Sequence, residues 1–326
     1  MPKKILLSGI QPSGRPHIGN YFGAMKQFVD MSATADYDCF FMIVDYHALN
    51  TIQDARVMKE NIINLAIDYL AVGLDPRKSI IFKQSDVSEH TELAWIFDTI
   101  TTMPFLARAH AFKDTEAKNK ETSVGLFNYP MLMAADILLY DTDVVPVGAD
   151  QKQHVEITRD TAEKFNRIFG ETFKLPEAKI LPTVAIVPGI DGRKMSKSYG
   201  NTIPLFAEDD ETRKIVMSIV TDSKGADEPK DPSKCNIFSL HKLFSKPTEL
   251  SKIKKRYETG DISYKESKEL LAENIISFLR PMRERRKALG KDRENVLKIL
   301  KNGGEIAREN ALLKMREVRE RVGLII

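Results

Sequence analysis

The sequence predicts an α/β fold in which a parallel sheet covered by helices is joined to an all-helical C-terminal part. Three observations carry that expectation. Short apolar runs alternate with helix-period segments as far as about Ile203, no strand-like run follows that residue, and 42% of the 326 residues are hydrophobic. Alternation of this kind closes into a parallel sheet with helices on its faces, and a chain of this size buries a large core.

Lys4 to Gly9 reads as a short buried strand, followed by a loop with Pro12, Gly14, Pro16 and Gly19 and then a helix from about Tyr21 to Met31. Asp38 to Val44 is a second buried strand, Met58 to Leu70 an amphipathic helix, and Ser79 to Phe82 a third strand. The polar, lysine-rich stretch Ala107 to Thr122 reads as a mobile insertion. Val144 to Val147 forms a strand that ends in Gly148-Ala149-Asp150-Gln151, and a helix from Gln153 to Phe169 is closed by Gly170. Five helices follow Ile203: Glu211 to Val220, Pro247 to Tyr257, Tyr264 to Arg286, Arg293 to Lys301 and Glu305 to Val322. The expected organisation is a Rossmann-like domain over 1–203, a helical domain over 204–295, and C-terminal helices over 296–326 that pack back on the first domain. Ligands of such sheets bind at the carboxyl ends of the strands.

Cys39 and Cys235 match no metal-ligand or redox spacing and read as reduced, buried thiols of a cytoplasmic protein. The apolar run after Met1-Pro2-Lys3-Lys4 is too short for a signal-peptide core, and no later run reaches membrane-spanning length. His90, His110, His154 and His241 form no ligand cluster, so no bound zinc is expected. The net charge of +3 conceals an asymmetry: from Arg280 onward fourteen Lys/Arg face seven Asp/Glu. Either a polyanion partner or a solvated helix face accounts for it. Arg283, Arg285, Arg286 and Lys287 are its densest run, read either as contacts to a polyanion or as partners of nearby acidic residues.

Gln11-Pro12-Ser13-Gly14-Arg15-Pro16-His17-Ile18-Gly19-Asn20 lies between a strand and a helix. Small residues there let the backbone approach a phosphate, the helix N-terminus offers free N–H groups, and His17 and Asn20 add side-chain donors. Alone it reads equally as a plain strand-to-helix turn. Arg193-Lys194-Met195-Ser196-Lys197-Ser198 follows a glycine-bounded loop, and closely spaced lysines and serines suit a triphosphate whose pyrophosphate departs. In Asn128 to Tyr140, helical spacing places Tyr129, Met133, Asp136 and Tyr140 on one face. Asp136 is the only charge in that apolar run and needs a partner, which a nearby arginine, a backbone donor or a ligand N–H can supply. His47 reads as a satisfied structural histidine or as pocket lining, and Trp95 as core.

His17-Ile18-Gly19-Asn20 resembles the HIGH signature of class I aminoacyl-tRNA synthetases, and Lys194 to Ser198 is their KMSKS signature unchanged. Tyr129 to Gln151, Ser8 to Asn20, Val44-Asp45-Tyr46-His47-Ala48 and Thr221-Asp222-Ser223 resemble the bacterial tryptophanyl-tRNA synthetases. That resemblance implies a homodimeric enzyme that uses ATP and Mg²⁺ to activate L-tryptophan and loads it onto tRNA(Trp), with a helical anticodon-binding domain over 204–295. It implies that Gln11, Pro12, Ser13, Gly19 and Asn20 contact ATP, that Gly148, Ala149 and Asp150 hold the adenosine, and that Ile186 meets the adenine. Lys194, Met195, Ser196, Lys197 and Ser198 close over the triphosphate, with His17, Asn20, Ser196 and the two lysines serving catalysis. Asp136 takes the indole N–H, Met133 packs on the ring, Tyr129 and Gln151 hold the amino group, and Gln11 orients the carboxylate.

Two positions depart from the pattern. The signature's last histidine is Asn20 here, and Thr115 stands where the family often has a lysine two places after the one at Lys113, leaving Lys113, Lys118 or Lys120 to reach the phosphates. The rival readings are a tyrosyl-tRNA synthetase, a synthetase-like binding protein without catalysis and, more remotely, another nucleotidyl transferase of the same fold.

Overall fold

The computed structural model describes residues 3–108, 123–148, 151–180 and 187–326. Contacts divide the chain into two compact units, Met1–Gly14 with Gln27–Pro182 and Asp292–Ile326, and Arg15–Lys26 with Thr183–Lys291.

The first unit carries the expected parallel sheet, built from β1 (Lys4–Ile10), β2 (Tyr37–Ile43), β3 (Ser79–Lys83), β4 (Val144–Val147) and β5 (Glu177–Ile180). Their order is β3-β2-β1-β4-β5, and every pair is parallel. Cys39 to Ile43 are all buried, as a strand covered on both faces requires. Because β1 pairs with β2 on one side and β4 on the other, the loops after β1 and β4 leave the sheet at its topological switch point. β5 was not expected, since Glu177-Ala178-Lys179-Ile180 is mostly exposed and carries no apolar run.

The first helical run comprises α1 (Ile18–Asn20), a π-helical turn over Tyr21–Met25, and α2 (Lys26–Ser32). The boundary between the units falls inside it. α3 (Asp45–Ala48) and α4 (Ala55–Val72) follow β2, and Asp54 caps α4 by accepting from the N–H groups of Arg56 and Val57. Then come α5 (Glu89–Ile100), α6 (Met103–Leu106), α7 (Val124–Leu138) and α8 (Lys152–Phe169). α8 buries His154, Val155, Ile157, Thr158, Thr161, Ala162 and Phe165, an amphipathic stripe against the core. Trp95 overturns the core reading: it is 70% exposed, because Leu93, Ala94, Ile96 and Phe97 form the buried side of α5.

The second unit contains α9 (Asp209–Met217), α10 (Asn236–Phe244), α11 (Pro247–Thr259) and α12 (Tyr264–Lys291). α10 was not among the helices expected from the sequence. Phe22, Phe244 and Phe278 pack with ring centroids 5.2–5.9 Å apart. Phe238, Ile253, Tyr257 and Ile262 form a further core, beside which the buried His241 bonds Ser245 Oγ at 2.8 Å and Ser267 at 3.1 Å.

The last helix, α13 (Arg293–Arg321), belongs to the first unit. The sequence reading split it at Gly303-Gly304, but the helix runs through. A Cβ on Gly303 would stand 2.0 Å from the carbonyl oxygen of Ile81, and one on Gly304 2.8 Å from Asp86. The pair permits close contact with β3, which is a packing role and not a break. Arg319 pairs with Glu92, and Lys314 with Asp141 at 2.9 Å. No helix of the described residues is long and apolar enough to cross a membrane.

Candidate active site

The carboxyl ends of β2, β3 and the neighbouring α7 converge on one buried carboxylate. Asp136 is 3% exposed. Its Oδ2 lies 2.9 Å from His47 Nε2, its Oδ1 lies 2.7 Å from His90 Nδ1, and Gln84 Nε2 donates to both oxygens at 2.8 and 3.0 Å. Burial pushes the Asp136 pKa up, but the charges and hydrogen bonds of His90 and His47 outweigh it and hold the group well below the usual carboxylate range. An ionised carboxylate only accepts, so His47 carries its proton on Nε2.

Local sequence explains the convergence. Val44 to Ala48 turns from β2 into α3, and Gln84 is the first residue after β3. Gln84 Oε1 accepts from the backbone N–H of Tyr46 at 3.0 Å and of His47 at 3.4 Å, which fixes the amide so that its nitrogen faces Asp136. Asp45 Oδ1 accepts from the Ser85 N–H at 2.9 Å and ties the same two strand ends.

Tyr129 and Met133 lie half-buried along α7 with Asp136, as the spacing predicted, while Tyr140 falls just beyond the helix end. The Tyr129 hydroxyl is 2.8 Å from His154 Nε2, and burial pushes its pKa up to about 12. Gln151 stands exposed before the first turn of α8, its N–H donating to Gly148 O at 3.0 Å. Gln11 and Ser13 are exposed after β1, Pro12 is buried between them, and Gly14 adopts φ +88°. Ala149, Asp150 and Ile186, with the insertion from 109 to 122, lie outside the described residues.

The second unit brings the two signature elements together. His17 Nδ1 accepts from the Asn20 N–H at 3.2 Å, and Asn20 Oδ1 accepts from the His17 N–H at 3.0 Å. The asparagine in place of the signature's last histidine thus completes a reciprocal cap. With Nδ1 engaged as acceptor, the proton of neutral His17 sits on Nε2. Burial, then the charge of Lys197, pulls the His17 pKa down to about 4. A Cβ on Gly19 would meet the His17 ring at 2.8 Å and the Met195 side chain at 3.4 Å. Glycine is required there for the cap and for Met195, which is buried and anchors its loop.

Lys194, Lys197 and Ser198 are exposed around that anchor, and Ser196 Oγ lies 2.9 Å from Ser198 Oγ. Asn201, 2% exposed, organises the loop: its Oδ1 accepts from the Ser196 N–H at 2.8 Å, while its Nδ2 donates to Asp191 Oδ1 at 2.7 Å and to Lys194 O at 3.2 Å. Gly189 leaves room for that side chain, since a Cβ there would stand 2.3 Å from it.

The basic cluster of α12 is largely occupied within its unit. Arg283 is 6% exposed and pairs with Asp209, Lys287 lies 2.8 Å from Glu208, and Arg286 lies over the Phe206 ring at 5.1 Å. Arg283 and Lys287 thus pair with acidic residues at the start of α9.

Gln84, His90, His154 and Asn201 were not named from the sequence as parts of a site. Gln84 had a usable signal, a polar residue at the carboxyl end of a buried strand. His90 and His154 are placed by contacts between segments far apart in the chain, whereas Asn201 bonds residues of its own loop.

A family model described as tRNA synthetases class I (W and Y) matches residues 2–280. The chain is 51% identical over 320 residues to a tryptophan–tRNA ligase of Fusobacterium nucleatum, covering 98% of each protein. It is 49% identical over 319 residues to one of Rhodopirellula baltica, covering 98% of this chain and 99% of that protein. Among solved structures, tryptophanyl-tRNA synthetase from Campylobacter jejuni complexed with ADP and tryptophan superposes with a TM-score of 0.92 at 46% identity, covering 98% of this chain and 99% of that one.

Proposed function

This chain belongs to the class I tRNA synthetases of the tryptophan and tyrosine group, and from that premise we infer that it activates L-tryptophan with ATP and transfers it to tRNA(Trp). The observation that carries the amino-acid assignment is Asp136, an ionised and nearly solvent-free acceptor beside Met133 and Tyr129 on α7. An indole offers one N–H donor and no acceptor, which matches a carboxylate that only accepts.

We assign Asp136 to the indole N–H, Met133 to the ring, and Tyr129 and Gln151 to the amino group. Tyr129 is supported by His154, which fixes its hydroxyl. Gln11 orients the carboxylate. An oxygen of that carboxylate attacks the α-phosphorus in line as the bond to the β-phosphate breaks, so positioning and charge stabilisation supply the rate. Gln11, Pro12, Ser13, Gly19 and Asn20 receive the nucleotide, with Gly148 and, beyond the described residues, Ala149, Asp150 and Ile186 on its adenosine. His17 Nε2–H is a neutral donor for a phosphate oxygen, because the cap holds Nδ1 and burial keeps the ring unprotonated. Lys194 and Lys197, with Ser196, Met195 and Ser198 in the same loop, meet the charge that develops on departing pyrophosphate. Mg²⁺, commonly held through substrate phosphates and water, would neutralise charge on the triphosphate beside Lys194 and Lys197. In the second step a terminal ribose hydroxyl of the tRNA attacks the aminoacyl carbonyl and AMP leaves.

The helical part between 204 and 295 is the part we assign to the tRNA anticodon. A homodimer is supported by large apolar side chains left exposed on α5, α6 and the start of α7: Trp95 at 70%, Met103 at 67% and Val124 at 81%. A cytoplasmic location fits two free cysteines: Cys39 is buried, its pKa pushed up to about 11 by burial and the neighbouring Asp38 charge, whereas Cys235 is half-buried and not buried as expected. The deciding experiment is ATP–pyrophosphate exchange with each of the twenty amino acids. Tryptophan alone should drive exchange, and a higher kcat/KM for tyrosine would reverse the assignment.

A further inference from the structure

We infer that His154 is a positioning residue for the substrate's α-ammonium group: it takes the phenolic proton of Tyr129, so that the hydroxyl oxygen turns its lone pairs toward the amino acid. The inference rests on Tyr129 being an amino-group ligand, as proposed above. It adds a selectivity which that assignment does not contain, a preference for groups that only donate at that position.

A hydroxyl carries one donor and two acceptor lone pairs, whereas an ammonium carries donors alone. A phenol therefore binds an ammonium only when its own proton points elsewhere. Tyr129 keeps that proton, because burial pushes its pKa up to about 12. His154 Nε2, 2.8 Å from the hydroxyl, is within reach as its acceptor. With the O–H donating to it, Nε2 is the bare ring nitrogen and the imidazole is uncharged. An imidazolium there would claim a lone pair of the phenol and set a second positive charge near the ammonium.

The two partners come from different helices. Tyr129 lies in the second turn of α7, seven residues before Asp136, so the groups assigned to the two ends of the substrate stand about 10 Å apart along one helix. His154 belongs to the first turn of α8 and follows Gln151, the other residue assigned to the amino group, by three positions, nearly one helical turn. One turn of α8 thus serves the amino group directly through Gln151 and indirectly through His154. His154 is 6% exposed, and its carbonyl oxygen accepts from Thr158 Oγ1 at 2.9 Å. Its ring meets Tyr129 edge to face, with centroids 5.3 Å apart and planes at 76°, and Tyr129 meets His47 in the same manner at 6.1 Å and 77°. These contacts seat the phenol ring. The torsion of its O–H is the freedom that remains, and the bond to Nε2 removes it.

The test uses two inhibitors that compete with tryptophan in pyrophosphate exchange: tryptamine, which has the ammonium and no carboxylate, and indole-3-propionate, which has the carboxylate and no ammonium. His154→Leu should raise Ki for tryptamine by about fivefold to tenfold, the scale of one buried hydrogen bond, and change Ki for indole-3-propionate less than about twofold. His154→Gln, whose amide oxygen can take the place of Nε2 and accept the same proton, should restore most of the tryptamine affinity. Tyr129→Phe removes the group that His154 positions, so adding His154→Leu to it should cost tryptamine nothing further. Equal losses for both inhibitors, or losses that add in the double variant, would overturn the inference and leave His154 a packing residue of α8. Should His154→Leu fail to fold, His154→Met, unbranched and without a strong acceptor, decides in its place. A Tyr129→Phe variant that binds tryptamine as the parent does refutes the amino-group assignment of Tyr129 itself, a distinguishable failure.

Discussion

Removing the side chain of Asn201 should disable the loop that carries Lys194 and Lys197 without touching the amino-acid pocket. Asn201 is buried and makes three hydrogen bonds, to Ser196 N, Lys194 O and Asp191 Oδ1. Asn201→Ala deletes all three. The two bonds to backbone groups are worth about 1 kcal/mol each, whereas the contact with Asp191 adds little because that carboxylate is solvated. A loss of about 2 kcal/mol in the order of this loop corresponds to a closed geometry populated roughly thirtyfold less. The expected outcome is a fall in kcat for adenylate formation of at least tenfold, with KM for tryptophan changed less than twofold. Pyrophosphate exchange measures both, and circular dichroism confirms the fold. Unchanged kcat in a folded variant, or a loss confined to KM for tryptophan, would refute the idea that Asn201 organises the signature loop.

Lys194→Ala and Lys197→Ala should each lower kcat by roughly tenfold or more in the same assay, since their charge meets the leaving pyrophosphate, and a rise in KM for ATP alone would contradict that role. Burial, only partly offset by the Ser267 hydrogen bond and the Glu249 charge, pulls the His241 pKa down to about 4 from its ordinary 6.5. The unfolded chain therefore binds the proton first, and the stability gained from neutral His241 is complete above pH 6.5 and lost as pH falls toward 4. The slope from this one group is at most about 1.4 kcal/mol per pH unit, so urea midpoints at pH 7 and 5 should differ less in His241→Gln than in the parent. His17, also drawn down to about 4, should add in the same direction. Gly303→Ala places a methyl 2.0 Å from a backbone oxygen of β3 and should cost about 1–3 kcal/mol, read as a lower Tm.

Most of the sheet was legible because its strands are continuous apolar runs and the helices between them keep a clear period. β5 lacked those signals, and Gly303-Gly304 misled because a glycine pair reads as a break where here it serves close approaches to Ile81 and Asp86. The site divides the same way. His17, Gly19, Asn20 and the loop from Lys194 to Ser198 sit in short contiguous patterns whose chemistry is local. Asp136 was visible as one charge in an apolar helix, but its partners His47, Gln84 and His90 come from three other segments, and no periodicity links them. Trp95 failed for a related reason: the helix period shows that a face is apolar, not which apolar residue lies at the margin of that face.

The seating of α13 on β3 also bears on how the protein is made. β3 is an outer strand of the sheet, flanked by β2 on one side, with the backbone of Ile81 in contact with Gly303. A ribosome finishes β3 well before it reaches α13, and at ordinary elongation rates of about 5–20 residues per second the interval is roughly 10–50 s. During that interval the nascent sheet displays an uncovered strand that is rich in isoleucine and phenylalanine, the kind of surface that recruits chaperones or pairs with another chain. Premature termination anywhere before Arg293 would leave that surface permanently open, so truncated products should be insoluble or rapidly degraded even when every residue of the amino-acid pocket has been synthesised.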